Sequence, residues 1–255
     1  MTPFNSDTAG DDFLQSNHGA TTFVGGDMNN YAKGFRNVTA TSTGGSDMAN
    51  ISDTAGNDEA WMFHGNTTLV GNNLKFVANG FQRVNLIARN GGDDIAHVYG
   101  TNNADTIFGN QSGTSMALAS GRLLRSVGFE TTNIDGRGGQ DFGNLLGNVG
   151  FERFTADANQ SRMEVGNHEI NLTDVETTQF DGVDQIGEII FADFSEGDLL
   201  LGDDEAVTGF INGNTIHARN IGMLEAQTES GSSSEYELGL VDYLFMLNGN
   251  WNRRS

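Results

Sequence analysis

Short apolar runs separated by turn residues make up the first 190 residues of the chain. Between residues 60 and 99, for example, clusters of Gly, Asn and Asp separate runs of four to six residues, at 60–63, 67–70, 75–78, 83–88 and 96–99. Runs of this length bounded by turn residues predict β-strands. Helical periodicity is absent from residues 1–190, and helix breakers recur too often for a helix of ordinary length. The pattern predicts an all-β fold.

A set of motifs recurs with a period of about 47 residues, which is typical of stacked units in a repeat protein. The motifs are the Gly-Phe pairs at 34–35, 80–81 and 128–129, the Gly-Gly pairs at 44–45, 91–92 and 138–139, and Asp47, Asp94 and Asp141. A fourth copy is visible where residues 129–136 align with residues 175–182. We therefore predict a parallel β-solenoid, or β-helix, of about four such repeats with a C-terminal cap. A β-sandwich built from hairpins is the alternative.

Stacking of these units predicts columns of equivalent side chains. If equivalent positions occupy neighbouring strands, they lie roughly 4.8 Å apart. We then expect Phe35, Phe81 and Phe129 to form an interior aromatic stack, and Val38 and Val84 to form an aliphatic ladder.

The repeat motifs become weaker toward the C-terminus, which predicts two structural regions. Residues 1–187 are predicted to form the solenoid, and residues 188–255 a C-terminal capping or assembly region. Within the latter, 229–235 is rich in serine and reads as a loop or linker. The tail at 236–251 is the most apolar part of the chain and predicts a short helix or a last strand. Such a tail would cover the open end of the solenoid or serve as a docking segment for self-assembly.

The composition narrows the classes of partner. The net charge is -21, from 34 acidic and 13 basic residues, so the chain favours cations and disfavours nucleic acid. The absence of cysteine excludes disulfides, thiolate catalysis and zinc sites built on cysteine. No apolar stretch reaches the length of a transmembrane helix. The N-terminus lacks a signal peptide pattern, which is consistent with a cytosolic chain, with secretion by another signal or, as we favour, with a piece of a longer protein.

The repeat motifs are similar to those of a family of long extracellular repeat proteins from planctomycete-type bacteria. Residues 52–58, 80–84 and 91–96 carry this resemblance, which covers about residues 4–147 and more weakly 148–185. It implies an extracellular or cell-surface location and a repeat architecture. A weaker resemblance links 91–96, 104–109 and 192–198 to RTX-type calcium β-rolls. Those rolls bind calcium through nonapeptides in immediate tandem, whereas here the Gly-Gly element occurs once per repeat.

Aspartates at fixed positions are the strongest chemical feature. They form two registers, Asp12, Asp58 and Asp105 in one and Asp47, Asp94 and Asp141 in the other. Stacked like charges are destabilising unless they are compensated. Each aspartate would accept backbone N–H bonds within its own turn, or Ca²⁺ would bridge neighbouring carboxylates. Both roles stay open, and the six aspartates are the candidate metal ligands with Ca²⁺ as the candidate cofactor.

No catalytic motif stands out. The five histidines lack the spacing of a zinc site, although His18 and His64 lie one period apart and are candidates for stacking. No Gly-x-Ser-x-Gly elbow occurs, and carboxylates are too numerous for one pair to be identified as an acid/base dyad. We therefore predict that the chain is not an enzyme.

The preferred function is a non-enzymatic structural or surface module, such as a rod, an adhesion module or a filament subunit, that self-associates end to end or through its tail. Calcium is a candidate stabilising ion for this module. The alternative is a carbohydrate-active β-helix enzyme or a carbohydrate-binding module, with polysaccharide as the candidate partner. Exposed aromatic residues such as Trp61, Tyr31 or Tyr99 would favour the alternative.

Overall fold

A computed structural model gives the fold of the chain. It describes residues 2–4, 8–17 and 19–254. For residues 2–4 it describes only the backbone. The described residues form 28 β-strands and no helix. The strands build two sheets, one of 13 strands (the first sheet) and one of 15 (the second sheet). None of the described segments can therefore cross a membrane as an apolar helix.

The strands follow one another along the chain with short connections. They are β1 (Thr2–Phe4), β2 (Phe13–Asn17), β3 (Ala20–Gly25), β4 (Met28–Lys33), β5 (Asn37–Thr41), β6 (Met48–Ser52), β7 (Glu59–Met62), β8 (Asn66–Gly71), β9 (Leu74–Asn79), β10 (Arg83–Ile87), β11 (Ile95–Tyr99), β12 (Thr106–Asn110), β13 (Gly113–Ala117), β14 (Leu123–Val127), β15 (Thr131–Asp135), β16 (Phe142–Leu146), β17 (Glu152–Ala156), β18 (Gln160–Val165), β19 (His168–Thr173), β20 (Thr177–Asp181), β21 (Glu188–Phe194), β22 (Leu199–Asp204), β23 (Ala206–Ile211), β24 (Asn214–Arg219), β25 (Met223–Thr228), β26 (Ser233–Val241), β27 (Leu244–Asn248) and β28 (Asn250–Arg253).

Parallel pairing between successive coils confirms the predicted all-β solenoid. Met48 of β6 lies opposite Arg83 of β10, and Arg83 lies opposite Leu123 of β14, all in parallel register. A β-sandwich built from hairpins would instead pair its strands in antiparallel fashion. The hydrophobic core lies between the two sheets, because alternate residues of each strand point inward, as Ala49 and Ile51 do in β6.

Each repeat consists of five strands. Three form an antiparallel meander in one sheet, the fourth crosses to the other sheet, and the fifth crosses back. Asn and Gly at the two-residue hairpin loops favour these meanders, because Asn73, Asn212 and Gly213 adopt positive φ angles of 57°, 49° and 85°. Five such meanders occur in the described chain, at β2–β4, β7–β9, β12–β14, β17–β19 and β22–β24. The structure thus has one more unit than the four that the sequence predicts.

An odd number of strands per unit places successive units in opposite sheets. The predicted aromatic stack is therefore wrong. Phe35 is 44% exposed, whereas Phe81 and Phe129 are 3% exposed, and the Phe81 ring contacts Phe23 at 5.8 Å. Equivalent positions do not stack, since strands that are neighbours in the ladder lie 35 or 36 residues apart in sequence at the aspartate positions.

The valine ladder is wrong for the same reason. Val38 lies in β5 of the first sheet and Val84 in β10 of the second. Both side chains are buried in the core, but they occupy opposite walls of the solenoid and belong to different columns.

The region after residue 187 continues the same two sheets. β21 pairs in parallel with β17 before it and with β25 after it. The predicted loop at 229–235 is a turn only as far as residue 232, because β26 begins at Ser233. The apolar tail at 236–251 forms strands and no helix. In the last coil β27 pairs directly with β25, so this coil has no meander.

Candidate functional site

The six predicted aspartates lie at the starts of strands and are all buried, with exposed fractions of 0% to 3%. The structure joins the two registers into three pairs: Asp12 with Asp47, Asp58 with Asp94, and Asp105 with Asp141. In each pair the backbone N–H of the first aspartate donates a 2.7 Å hydrogen bond to Oδ1 of the second. The pairs thus connect neighbouring coils where the chain enters a sheet: Asp12–Asp47 and Asp105–Asp141 at the second sheet, and Asp58–Asp94 at the first.

A threonine four residues earlier holds the first aspartate of each pair. These threonines are Thr8, Thr54 and Thr101. Each donates its backbone N–H to the aspartate carboxylate, at 2.7, 3.1 and 2.6 Å respectively. Each also donates from its hydroxyl group, at distances between 2.8 and 3.2 Å. These contacts are those of the turn role, in which an aspartate satisfies backbone donors of its own loop.

Burial raises the pKa of the second aspartate in two of the pairs. Desolvation raises the pKa of Asp94 from 3.8 to about 6, opposed by the hydrogen bond from the Asp58 backbone and reinforced by the charge of Asp58. Desolvation likewise raises the pKa of Asp141 from 3.8 to about 6, opposed by the Asp105 backbone bond and reinforced by the Asp105 charge. These pairs therefore hold more negative charge than their surroundings favour at neutral pH.

Calcium at these six aspartates stays a prediction. A cation at the pairs would compete with the N–H and hydroxyl donors that already bind the first aspartate of each pair, whereas Oδ2 of Asp141 is buried without a hydrogen-bond partner among the described residues. Among the residues that the structure describes, no group of three or more Asp, Glu or His side chains is arranged to hold a metal ion. The predicted stacking of His18 with His64 falls on a position outside the described residues, since His18 is not among them.

The fourth unit departs from this pattern, and the sequence motifs did not single it out. Glu152 occupies the place of the first aspartate and Gly187 that of the second, because Arg153 lies opposite Glu188 in the β17–β21 ladder. The backbone N–H of Asn148, four residues before Glu152, donates to Glu152 Oε1 at 2.5 Å. The alignment of Asn148 and Glu152 with the earlier Thr-x-x-x-Asp segments was the available signal.

An aromatic cluster lies on the outer face of the first sheet. Trp61 stacks on His97, with centroids 5.8 Å apart and planes at 14°. Phe63 stacks on Tyr99 at 4.6 Å and 3°. The guanidinium of Arg137 lies over the Tyr99 ring, 4.7 Å from its centroid. Of the three aromatic residues whose exposure would favour a carbohydrate function, Trp61 and Tyr99 therefore lie in one cluster. The exposed Tyr31 belongs to β4 of the second sheet.

A groove of about 490 Å³ opens beside this cluster across β11, β15, β19 and β18. Its lining includes His97, Tyr99, Asn133, Arg162, Glu169 and Asn171. Asn171 Nδ2 donates to Asn133 Oδ1 at 3.0 Å and to Glu169 Oε1 at 2.7 Å, and Arg162 donates to Glu169 Oε2 at 2.7 Å. The groove thus combines ring edges with a linked row of amide, guanidinium and carboxylate groups.

Comparison with known proteins adds no functional assignment. A scan against protein-family models, a search of curated proteins and a search of solved structures each found no match.

Proposed function

We propose that the chain is a structural rod module of an extracellular or cell-surface assembly, in which copies join end to end. The fold is compatible with this role, because a two-sheet solenoid gains length by adding coils through backbone hydrogen bonds. The location rests on the resemblance of the repeat motifs to those of extracellular repeat proteins. The observation that carries the proposal is the geometry of the outermost strands.

Both ends of the solenoid present strands of the same polarity. The first sheet ends in β1 and β27, and the second in β4 and β28. β1 pairs in parallel with β5, and β27 pairs in parallel with β25. Between these two strands, each meander contributes two antiparallel pairings. Because two reversals restore the original strand direction, β1 and β27 run the same way. The same holds in the second sheet.

Matched polarity lets one copy continue into the next. Each outermost strand leaves one row of N–H and C=O groups without a strand partner among the described residues. A translation along the axis would place β4 of a second copy beside β28 in parallel, whereas β1 of that copy would face β27 across a gap, because the first sheet has two strands fewer than the second. Such a head-to-tail contact does not close on itself and extends into a filament.

The C-terminal end also exposes core side chains. Phe245 lies opposite the buried Leu224, so it faces the interior, yet it is 44% exposed. Burial of the remaining area, about 90 Å² for a phenylalanine, would contribute about 2 kcal/mol to the contact. Trp251 lies in β28, the outermost strand of the second sheet at the same end, and its ring centroid is 4.9 Å from that of Phe194. The net charge of -21 opposes association, so we expect added salt to favour it.

Sedimentation velocity tests the proposal on the whole chain. We expect the wild-type chain to form species that grow with protein concentration, and Phe245→Glu to stay monomeric because it places a charge at the contact. Val70→Glu is the matched control, because Val70 is an exposed apolar residue of β8, inside the first sheet and away from both ends. A wild-type chain that stays monomeric at every concentration and salt would overturn the proposal.

The groove on the first sheet supports a second candidate function, polysaccharide binding. Its volume lies in the range of small-molecule sites, and three strand spacings give it a length of about 14 Å, that of a short oligosaccharide. Amide, guanidinium and carboxylate groups in a row suit sugar hydroxyls, which both donate and accept hydrogen bonds. Affinity electrophoresis in gels that contain polysaccharide tests this function. Asn171→Ala should lose retardation, whereas Asn85→Ala, which breaks the comparable bond to Asn50 on the second sheet, should keep it.

A further inference from the structure

The fourth unit differs from the others in how its carboxylates are satisfied. In the first three units, threonine and backbone donors surround the first aspartate of each pair. In the fourth unit Asn148 replaces threonine, and only its backbone N–H reaches Glu152. A Cβ atom at Gly187 would lie 2.9 Å from Glu152 Oε2. The absence of a side chain at 187 therefore leaves room for the longer glutamate.

Two carboxylate oxygens in this unit are buried and have no hydrogen-bond partner. They are Oε2 of Glu152, a residue that is 1% exposed, and Oδ1 of the half-buried Asp184. The other oxygen of each carboxylate is held by a backbone N–H, from Asn148 at 2.5 Å and from Gly150 at 2.9 Å. Burial, and to a smaller extent the charge of Asp184, raises the pKa of Glu152. A buried carboxylate oxygen without a donor is unfavourable, so this arrangement calls for a positive or donating partner.

Among the described residues, no arginine, lysine or histidine forms an ion pair with Glu152 or Asp184. The adjacent Arg153 lies on the exposed side of β17 and forms an ion pair with Glu188 at 2.8 Å. The two unpartnered atoms are both carboxylate oxygens, and the described chain places no histidine in contact with them. Oxygen-only ligands with two negative charges match a hard divalent cation, and they do not match zinc.

We infer that Glu152 and Asp184 bind a hard divalent cation, for which Ca²⁺ is the probe, between the loop before β17 and the loop before β21. These loops belong to neighbouring coils, since β17 and β21 are paired in parallel. Both loops carry exposed apolar residues, Val149 and Phe151 in one and Val183 and Ile186 in the other. Because the two carboxylates come from neighbouring coils, the bound cation holds these coils together at a corner where the aspartate pair is missing. The inference does not depend on end-to-end assembly.

Isothermal titration of the full chain with Ca²⁺ tests the inference. Two protein carboxylates predict one weak site per chain, with a dissociation constant on the order of 10⁻⁴ to 10⁻³ M, and weaker binding of Mg²⁺. Glu152→Gln and Asp184→Asn should each weaken binding at least tenfold. Glu196→Gln is the matched control, because it removes the same charge from an exposed position of the neighbouring unit and should bind like the wild type.

Thermal unfolding separates a cation site from a structural carboxylate. In EDTA, Glu152→Gln should melt at or above the wild-type temperature, because the variant removes a buried charge. In 10 mM Ca²⁺ the order should reverse, since the wild type gains several degrees and the variant gains none. Absence of saturable binding to the wild type would overturn the inference. So would binding that survives in both variants, or that is lost instead in Asp58→Asn, which would place the cation at the aspartate pairs.

Discussion

Replacement of Asp94 by asparagine tests the electrostatics of the buried aspartate pairs. Oδ1 of Asp94 accepts the backbone N–H of Asp58 at 2.7 Å, and an asparagine Oδ1 would accept the same bond. The substitution removes the buried charge beside Asp58 and leaves the connection between the coils in place. We therefore expect Asp94→Asn to be at least as stable as the wild type at pH 8.

The sign of the pH dependence follows from the direction of the shift. Burial raises the pKa of Asp94 from 3.8 to about 6 in the folded state, so folding favours the protonated acid. The associated stability is fully present below pH 4 and is lost as the pH rises through 6. A shift of this size corresponds to about 3 kcal/mol at full strength, and screening by solvent at this corner reduces it to about 1 kcal/mol.

Urea denaturation at pH 4, 5, 6, 7 and 8 measures this effect. The free energy of unfolding of the wild type should fall by about 1 kcal/mol for each of Asp94 and Asp141 between pH 4 and pH 8. Asp94→Asn should lose about half of that decrease. Asp93→Asn is the control, because it removes an exposed charge from the adjacent position and should keep the wild-type slope. Equal slopes for the wild type and Asp94→Asn would show that the Asp94 carboxylate does not contribute to the pH dependence.

Two further predictions concern the loops. Thr54→Val removes the hydroxyl that donates to Asp58 and accepts the N–H of Asn72, each at 3.0 Å. We expect a loss of about 2 kcal/mol in urea denaturation, with Thr54→Ser close to the wild type; a valine variant of wild-type stability would contradict the turn role. Gly128→Ala should lower the melting temperature more than Gly121→Ala. Both glycines have positive φ, 81° and 83°, but only at Gly128 would a Cβ meet a carbonyl oxygen, at 2.1 Å. Equal effects would show that φ strain alone matters.

The sequence predicted the strands but not how they stack. Runs such as 75–78 and 96–99 became β9 and β11, because turn residues bound them on both sides. The same turn residues also join meander strands within one sheet, as Asn72 and Asn73 do, and sequence does not distinguish such a hairpin from a corner between sheets. The 47-residue motif period therefore predicts the wrong stacking distance, because the aspartates that lie on neighbouring strands are 35 or 36 residues apart in sequence.

For the same reason, only part of the candidate site could be predicted from the sequence. The two aspartate registers were apparent, but the pairing of Asp58 with Asp94 depends on the stacking distance and so could not be read from the motif period. The fifth meander at 199–219 was missed because its strands keep their alternation while the Gly-Phe and Gly-Gly markers are lost. Glu152 could not be identified from the aspartate motif, because Glu152 replaces the first aspartate of the pair and Gly187 replaces the second.

Negative-stain electron microscopy of the wild-type chain over a range of protein concentrations tests end-to-end assembly. The fifteen stacked strands of the second sheet give each copy a length of about 70 Å along the axis. We expect rods whose lengths are multiples of about 70 Å and increase with concentration, and isolated particles for Phe245→Glu. Isolated wild-type particles about 70 Å long at every concentration would contradict end-to-end assembly.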